Sequence, residues 1–331
     1  FLFEKCYYFS CNFLPGSWAL LYELGNLRCM QTFLKMILMP KTSKHLRNLI
    51  KKTQATDVIS FHFLLTPATL NALKRLNKKI NLTVVVTDPF SASTGWFYEK
   101  DAYYIVFSQQ VKEFAVSQCF IKEDRVTVFP FLINPKFYAS FCDEELRSLR
   151  TKHNIEDGKK VLLVTGGGGG LPRAVLIVRQ LILLKPDFTV FVVCGKDVAS
   201  KKVLDMLTQL YPSVDLRPLG FISNMHEMVK LCDCAVIKPG ASTIFEVFSS
   251  HKPAIISTYL HGQELGNVQF AVDNKIGWFI RKPKHIAKMA YELLCDEEYC
   301  NKNIERFKNI PISTDIKCIA DHLHQKNYEH R

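Results

Sequence analysis

The chain predicts an α/β fold made of two doubly wound parallel-sheet domains, and three features carry that expectation. Short apolar, β-prone runs alternate with helical patterns at βα spacing in both halves. Five consecutive glycines, Gly166 to Gly170, separate one such run from a helix pattern. Pro130 to Pro135 and the charged helix pattern Asp143 to Arg150 read as a connection, which divides residues 1–140 from 141–331. With 331 residues, 48% of them apolar and 22% charged, there is enough chain for two cores, and a disordered protein is excluded.

In the first half, residues 1–39 are crowded with aromatic and large apolar groups, among them Tyr7, Tyr8, Trp18, Leu21, Tyr22, Phe33 and Met36. Charges at Glu4, Lys5, Glu23, Arg28 and Lys35 make a poor signal peptide of this stretch. It reads either as an amphipathic, lipid-facing segment or as core helices of a domain whose first strand is missing. A basic helix pattern from Lys41 to Lys52 follows. Strands are expected at Asp57 to Phe61, Leu82 to Val86, Tyr103 to Phe107 and Arg125 to Phe129, with helices at Pro67 to Asn77 and Ser108 to Gln118. His62 and Asp88 fall at the carboxyl ends of two of these strands, where such sheets hold their ligands.

The second half centres on Val161 to Pro172, VLLVTGGGGGLP, with Pro172 opening the helix pattern AVLIVRQLILL. A loop without Cβ atoms lets backbone N–H groups approach an anion, and the helix adds its unpaired N–H groups and positive dipole end. A phosphate or diphosphate is the expected ligand. The spacing excludes two familiar loops: no Gly-Lys-Ser/Thr follows the glycines, and the last glycine of a dinucleotide fingerprint would fall on Leu171. Further strands are expected at Phe188 to Cys194, Val214 to Leu219, Cys234 to Ile237, Ala254 to Ser257 and Trp278 to Ile280. Helices at Lys284 to Cys295, Glu297 to Phe307 and Asp315 to Gln325 close the chain.

A formal charge of +12 points to an acidic partner, and the absence of a nucleic-acid motif ranks an anionic membrane surface above nucleic acid. Eleven dispersed cysteines without a Cys-x-x-Cys pair suit reduced thiols of a cytoplasmic protein, and no run reaches the ~18 apolar residues of a membrane span.

A second chemistry-bearing stretch, Lys238-Pro-Gly-Ala-Ser-Thr-Ile-Phe-Glu246, follows the strand at Cys234. Gly240 permits a turn, Ser242 and Thr243 offer hydroxyls and N–H groups at a helix start, and Thr243 to Glu246 has capping-box spacing. Glu246 is either that cap or a carboxylate that accepts hydrogen bonds from vicinal hydroxyls. After the next strand, Gln263, Glu264 and Asn267 suit recognition of sugar hydroxyls, with Gln263 and Asn267 on one face of a new helix.

Taken together, TGGGGG, LGFISNM, KPGASTIFEV and HGQELGN resemble the donor domain of the family-28 glycosyltransferases, in particular monogalactosyldiacylglycerol synthases and processive diacylglycerol glucosyltransferases. DVISFHFLLTPA and VVVTDPFSASTGWFYEKDAYYIVFS resemble the acceptor half of the same family. The resemblance implies a GT-B fold of two Rossmann-like domains facing a cleft, a UDP-hexose donor, inversion at the anomeric carbon and no required metal or other cofactor. It implies that Gly166, Gly167, Gly168, Gly169 and Gly170 hold the diphosphate with Ser242 and Thr243 at the helix start, and that Phe221 borders the uracil through its backbone. Glu246 would bind the ribose hydroxyls, and Gln263, Glu264 and Asn267 would read the hexose.

The family also opens with a strand and a glycine-rich loop ending in a histidine that deprotonates the acceptor, and nothing before Asp57 has that form. The chain starts at Phe1 rather than methionine, so the expectation is that an upstream segment supplies this base; the alternative is a degenerate member that binds UDP-sugar without turnover. Asp88 and His62 are the acceptor-side polar groups at hand. The expected activity is hexose transfer to a lipid hydroxyl such as diacylglycerol, at the inner face of the cell membrane. Glucose and galactose donors both remain open.

Overall fold

The computed structural model describes residues 15–76, 80–138, 142–295, 304–307 and 310–328. The chain divides into two compact units: one holds the residues up to Phe131 with Leu260–Gly266 and the chain from Asp315, and the other holds Leu132–Tyr259 and Asn267–Thr314. The division falls between residues 131 and 132 rather than 140 and 141. Aromatic packing accounts for that shift, because Phe131 is buried with its ring 5.0 Å from Phe107. A closing helix, Ile316–Tyr328, also belongs to the first unit, where His322 lies 5.2 Å from the ring of Phe129.

The first unit contains α1 (Pro15–Asn26), α2 (Arg28–Thr53), β1 (Asp57–Ser60), α3 (Thr66–Leu76), β2 (Asn81–Val85), β3 (Tyr103–Val106), α4 (Gln109–Ser117) and β4 (Val126–Val128). Its four strands lie in the order β1-β2-β3-β4, all parallel. The aromatic opening is helical where it is described. Leu20, Phe33, Met36 and Ile37 are exposed on α1 and α2, whereas Ile50 at the far end of α2 enters the core with Leu70, Leu73, Val84 and Phe97. Helix α2 begins at Arg28 rather than Lys41 and runs through Pro40. Proline removes one intrahelical bond, and the helix is held here by tertiary contacts instead: Ser43 Oγ donates to the carbonyl of Ala68 at 2.9 Å, and Asn71 donates to Ser43 at 3.2 Å.

The second unit contains α5 (Asp143–Lys152), β5 (Val161–Thr165), α6 (Ala174–Leu183), β6 (Thr189–Val193), α7 (Val198–Leu210), β7 (Leu216–Leu219), α8 (Met225–Leu231), β8 (Cys234–Ile237), α9 (Ala241–Ser249), β9 (Ala254–Ile256), most of α10 (Leu265–Asp273), β10 (Gly277–Phe279) and α11 (Pro283–Cys295). Six parallel strands run in the order β10-β9-β8-β5-β6-β7. Val161 to Val164 are wholly apolar because β5 is central and covered on both faces; Ile177 and Leu181 of α6 and Ile286 and Ala290 of α11 bury against it and its neighbours. Burial of each such aliphatic side chain contributes ~1.5–3 kcal/mol. Pro218 is tolerated in β7 because that strand is the sheet edge. The helix expected at Glu297 to Phe307 lies mostly outside the described residues, which show one helical turn, Ile304–Phe307.

The glycine run after β5 is only partly a ligand feature. Gly170 has φ +77°, and a Cβ there would stand 2.5 Å from the carbonyl oxygen of Cys194 at the end of β6. Gly168, by contrast, is exposed with nothing within 4 Å of a Cβ, while its carbonyl accepts the N–H of Lys196 at 2.9 Å. Helix α6 starts at Ala174, two residues later than Pro172, because Arg173 adopts φ 65° and turns the chain before the helix. Gly170→Ala should therefore destabilise the protein by about 1–3 kcal/mol in urea unfolding, whereas Gly168→Ala should leave the midpoint unchanged.

Candidate functional site

In the second unit the site begins with topology. Strand β5 pairs with β6 on one side and β8 on the other, with Thr165 opposite both Val193 and Ile237. The chain therefore leaves β5 and β8 side by side and runs to helices on opposite sides of the strand order, the switch point at which parallel sheets bind ligands. The glycine loop issues from one strand end and Lys238-Pro239-Gly240 from the other. Thus the two chemistry-bearing stretches of the sequence meet.

Gly240 is the N-cap of α9, which has no side-chain cap, so its leading N–H groups lack the hydroxyl or carboxylate that a serine or aspartate would supply. Its φ of −59° is open to any residue, so Gly240 is not required by the turn. Ser242 is exposed and Thr243 half-buried in the first turn. The capping-box reading of Thr243 and Glu246 fails because both lie inside the helix, which starts at Ala241. Glu246 is half-buried, and among the described residues its carboxylate has no hydrogen-bond or ion-pair partner. Burial alone pushes its pKa up to about 6.

Phe221, 68% exposed, follows β7 in the segment Gly220 to Asn224. That segment is fastened through Asn224, whose amide donates to Glu227 at 2.8 Å. Glu227 also accepts from Lys152 at 2.8 and 2.9 Å and contacts His153 at 3.1 Å, and these partners outweigh burial and pull its pKa down to about 2. Asn267 is buried, and its amide donates to the Pro239 carbonyl at 2.8 Å, holding the loop that precedes α9.

Gln263 and Glu264 group with the first unit and precede α10, which starts at Leu265, so Gln263 and Asn267 do not share a helix face. Glu264 is buried, and its carboxylate accepts the N–H of Leu260 at 2.7 Å, closing its own turn. Gln263 donates to Asp88 Oδ1 at 3.2 Å, and the Trp96 indole donates to Asp88 Oδ2 at 2.7 Å. Burial raises the Asp88 pKa; these two hydrogen bonds oppose the rise, and the nearby Glu264 adds to it. His62 accepts the Leu64 N–H through Nδ1 at 3.3 Å, and burial lowers its pKa.

Asp88, His62 and Gln263 line one cavity of about 610 Å³ within the first unit, whose remaining wall is mainly apolar and includes Trp18, Leu21, Tyr22, Met39, Phe63 and Trp96. Sequence reading placed Asp88 and His62 at strand ends but missed Trp96 and Tyr22 as wall residues. It also missed Gly195, φ +56°, where a Cβ would meet the Gly168 carbonyl at 2.4 Å; its position just past β6 was the available signal.

Among the described residues, no helix is long and apolar enough to cross a membrane, and no group of three or more His, Cys, Asp or Glu side chains could hold a metal ion.

Comparison with known proteins places these features. Residues 161–308 match the glycosyltransferase family 28 C-terminal domain, and residues 2–130 match monogalactosyldiacylglycerol (MGDG) synthase. A probable chloroplastic monogalactosyldiacylglycerol synthase of Glycine max is 28% identical over 259 residues, covering 76% of this chain and 48% of the relative. A processive diacylglycerol beta-glucosyltransferase of Bacillus licheniformis is 28% identical over 298 residues, covering 90% and 74%. The chain thus spans about half the length of the chloroplast relatives it matches. Among solved structures, Anabaena HepE in complex with UDP superposes with a TM-score of 0.61 at 13% identity, covering 86% of this chain and 82% of that one. The fold is GT-B, with two Rossmann-like α/β domains. The carboxy-terminal half thus matches the family-28 glycosyltransferase C-terminal domain, and the chain is similar to the monogalactosyldiacylglycerol synthases and processive diacylglycerol glucosyltransferases.

Proposed function

We propose that this chain belongs to an inverting glycosyltransferase that moves a hexose from a UDP-sugar to the hydroxyl of diacylglycerol or a related lipid, working as a peripheral protein on an anionic membrane surface. The observation that carries the donor half is Glu246: a half-buried carboxylate without a partner, in the helix whose bare start lies at the switch point beside the glycine loop. Vicinal ribose hydroxyls would supply the donors it lacks. The diphosphate would lie against Gly166 to Gly170, Ser242 and Thr243, and the uracil against the backbone at Phe221. When the sugar–phosphate bond breaks, negative charge grows on departing UDP. Aligned N–H groups and a helix dipole stabilise such charge without reorganising, so the chemistry requires no metal in this reading.

For the acceptor, the cavity in the first unit offers a mainly apolar wall and a half-buried carboxylate, Asp88, held by two neutral donors. That pairing suits an apolar molecule bearing a hydroxyl, with Asp88 accepting the hydroxyl's hydrogen. The relatives' names point to diacylglycerol. The rival reading is UDP-sugar binding without turnover. UDP release measured with diacylglycerol present separates the two, since the rival predicts binding without release.

Substitutions at three positions have expected outcomes. Gly168→Ala, neutral for folding, should weaken UDP binding by roughly tenfold in calorimetry, because a methyl group would occupy the open face of the loop. UDP affinity should fall as pH drops through about 6, where Glu246 becomes protonated; Glu246→Gln should bind UDP roughly tenfold more weakly and lose that step. The same substitution should also stabilise the protein at alkaline pH. A carboxyl whose folded pKa is raised from 4.5 to about 6 withdraws stability as pH rises across that window. The gain is at most ~2 kcal/mol, less the screening by solvent at a partly exposed group. Asp88→Asn should lower kcat by about 10² or more while leaving donor KM unchanged; unchanged turnover would remove Asp88 from the reaction.

A further inference from the structure

The second unit carries an apolar surface that neither the donor site nor its core uses. On α7, Val203, Met206 and Leu210 recur at i, i+3 and i+7, and on α6 Leu176 and Leu183 are seven apart, so each set forms one stripe. These residues are exposed, Leu183 by 73%, Leu210 by 67% and Met206 by 60%. Between α6, α7 and the start of α11 runs a groove of about 500 Å³ whose base includes Ile182 and Leu207 and whose lining includes Arg179, Lys282 and Lys284. No carboxylate lines it. The nearby acids on α7 and α11 are engaged elsewhere, Asp205 by Lys201 and Glu292 by Lys288.

We infer that this face of the second unit is a membrane-docking surface, which lays its leucines into the interface of a bilayer and its three cations on anionic headgroups. An exposed apolar area rimmed by uncompensated positive charge meets both demands of such an interface. A second copy of the chain fits poorly, because a two-fold contact would bring the same cations against themselves. A small soluble anion would leave the leucine stripes without a role. The inference extends the lipid-acceptor reading above by fastening the donor-binding unit itself to the surface where the acceptor resides.

The test is co-sedimentation at low salt with vesicles of phosphatidylcholine alone and of about one part phosphatidylglycerol to two parts phosphatidylcholine. The full chain should partition onto the anionic vesicles, and Arg179→Glu/Lys282→Glu/Lys284→Glu should reduce that partition by roughly tenfold or more. Leu183→Ser/Leu210→Ser, at exposed positions that do not threaten folding, should weaken it on both vesicle types. UDP binding by each variant, measured by calorimetry, should equal that of the parent. Equal partition of parent and charge-reversed chain would overturn the inference, as would failure of the parent to bind. It would also fall if the parent were a dimer by light scattering that the leucine variant dissolves without changing vesicle partition. A parent that binds vesicles through these residues but not UDP would sink the donor reading and leave this one standing.

Discussion

The structure depends on one constraint: a doubly wound parallel sheet reverses its direction of winding once, and there two neighbouring strands send their chains out in opposite directions. At β5 and β8 this brings two loop segments to adjacent strand ends. Neither segment can satisfy its N–H groups through the sheet, and α9 has no side-chain cap. A folded protein retains such a corner only at some cost in unmade hydrogen bonds. Everything proposed for the donor side follows from filling it with oxygen acceptors.

The glycine loop separates what the fold demands from what a ligand would. Gly170 is glycine because the end of β6 leaves no room for a side chain, and Gly195 is glycine for the reciprocal reason at the same crossing. Gly168 answers to neither pressure. Counting glycines therefore overstates the binding signal, and their environments restore it: Gly166, Gly170 and Gly195 are crowded by neighbouring backbone, while Gly167 and Gly168 open outward.

What was legible in sequence follows from range. Strands such as Val161 to Val164 and Val190 to Val193 announce themselves because burial on both faces imposes an unbroken apolar run. Helix α2 was expected only from Lys41, where the basic helix pattern begins, whereas the packing of Ser43 and Asn71 that sustains the helix past Pro40 is not local. Glu246 could be read as a cap or a ligand from its spacing alone; the position of the helix start, at Ala241, removes the cap. Gln263 was assigned by motif to the donor side, yet its amide is committed to Asp88, 175 positions earlier in the chain. No pattern within one segment encodes such a contact.

The two raised carboxyls illustrate how burial and pairing divide their tasks. Asp88 is surrounded by neutral donors and no cation, so its charge is oriented without being neutralised. Glu246 has no donor at all among the described residues. A lysine beside either would have stabilised the fold and lowered the pKa, as Lys152 does for Glu227. It would also have satisfied the oxygens that a hydroxyl must reach. Glu227, which fastens a loop, is paired with a cation, whereas Asp88 accepts only from neutral donors and Glu246 has no partner among the described residues; stability is forgone at both, and it is these two carboxyls that the proposed function assigns to uncharged hydroxyls.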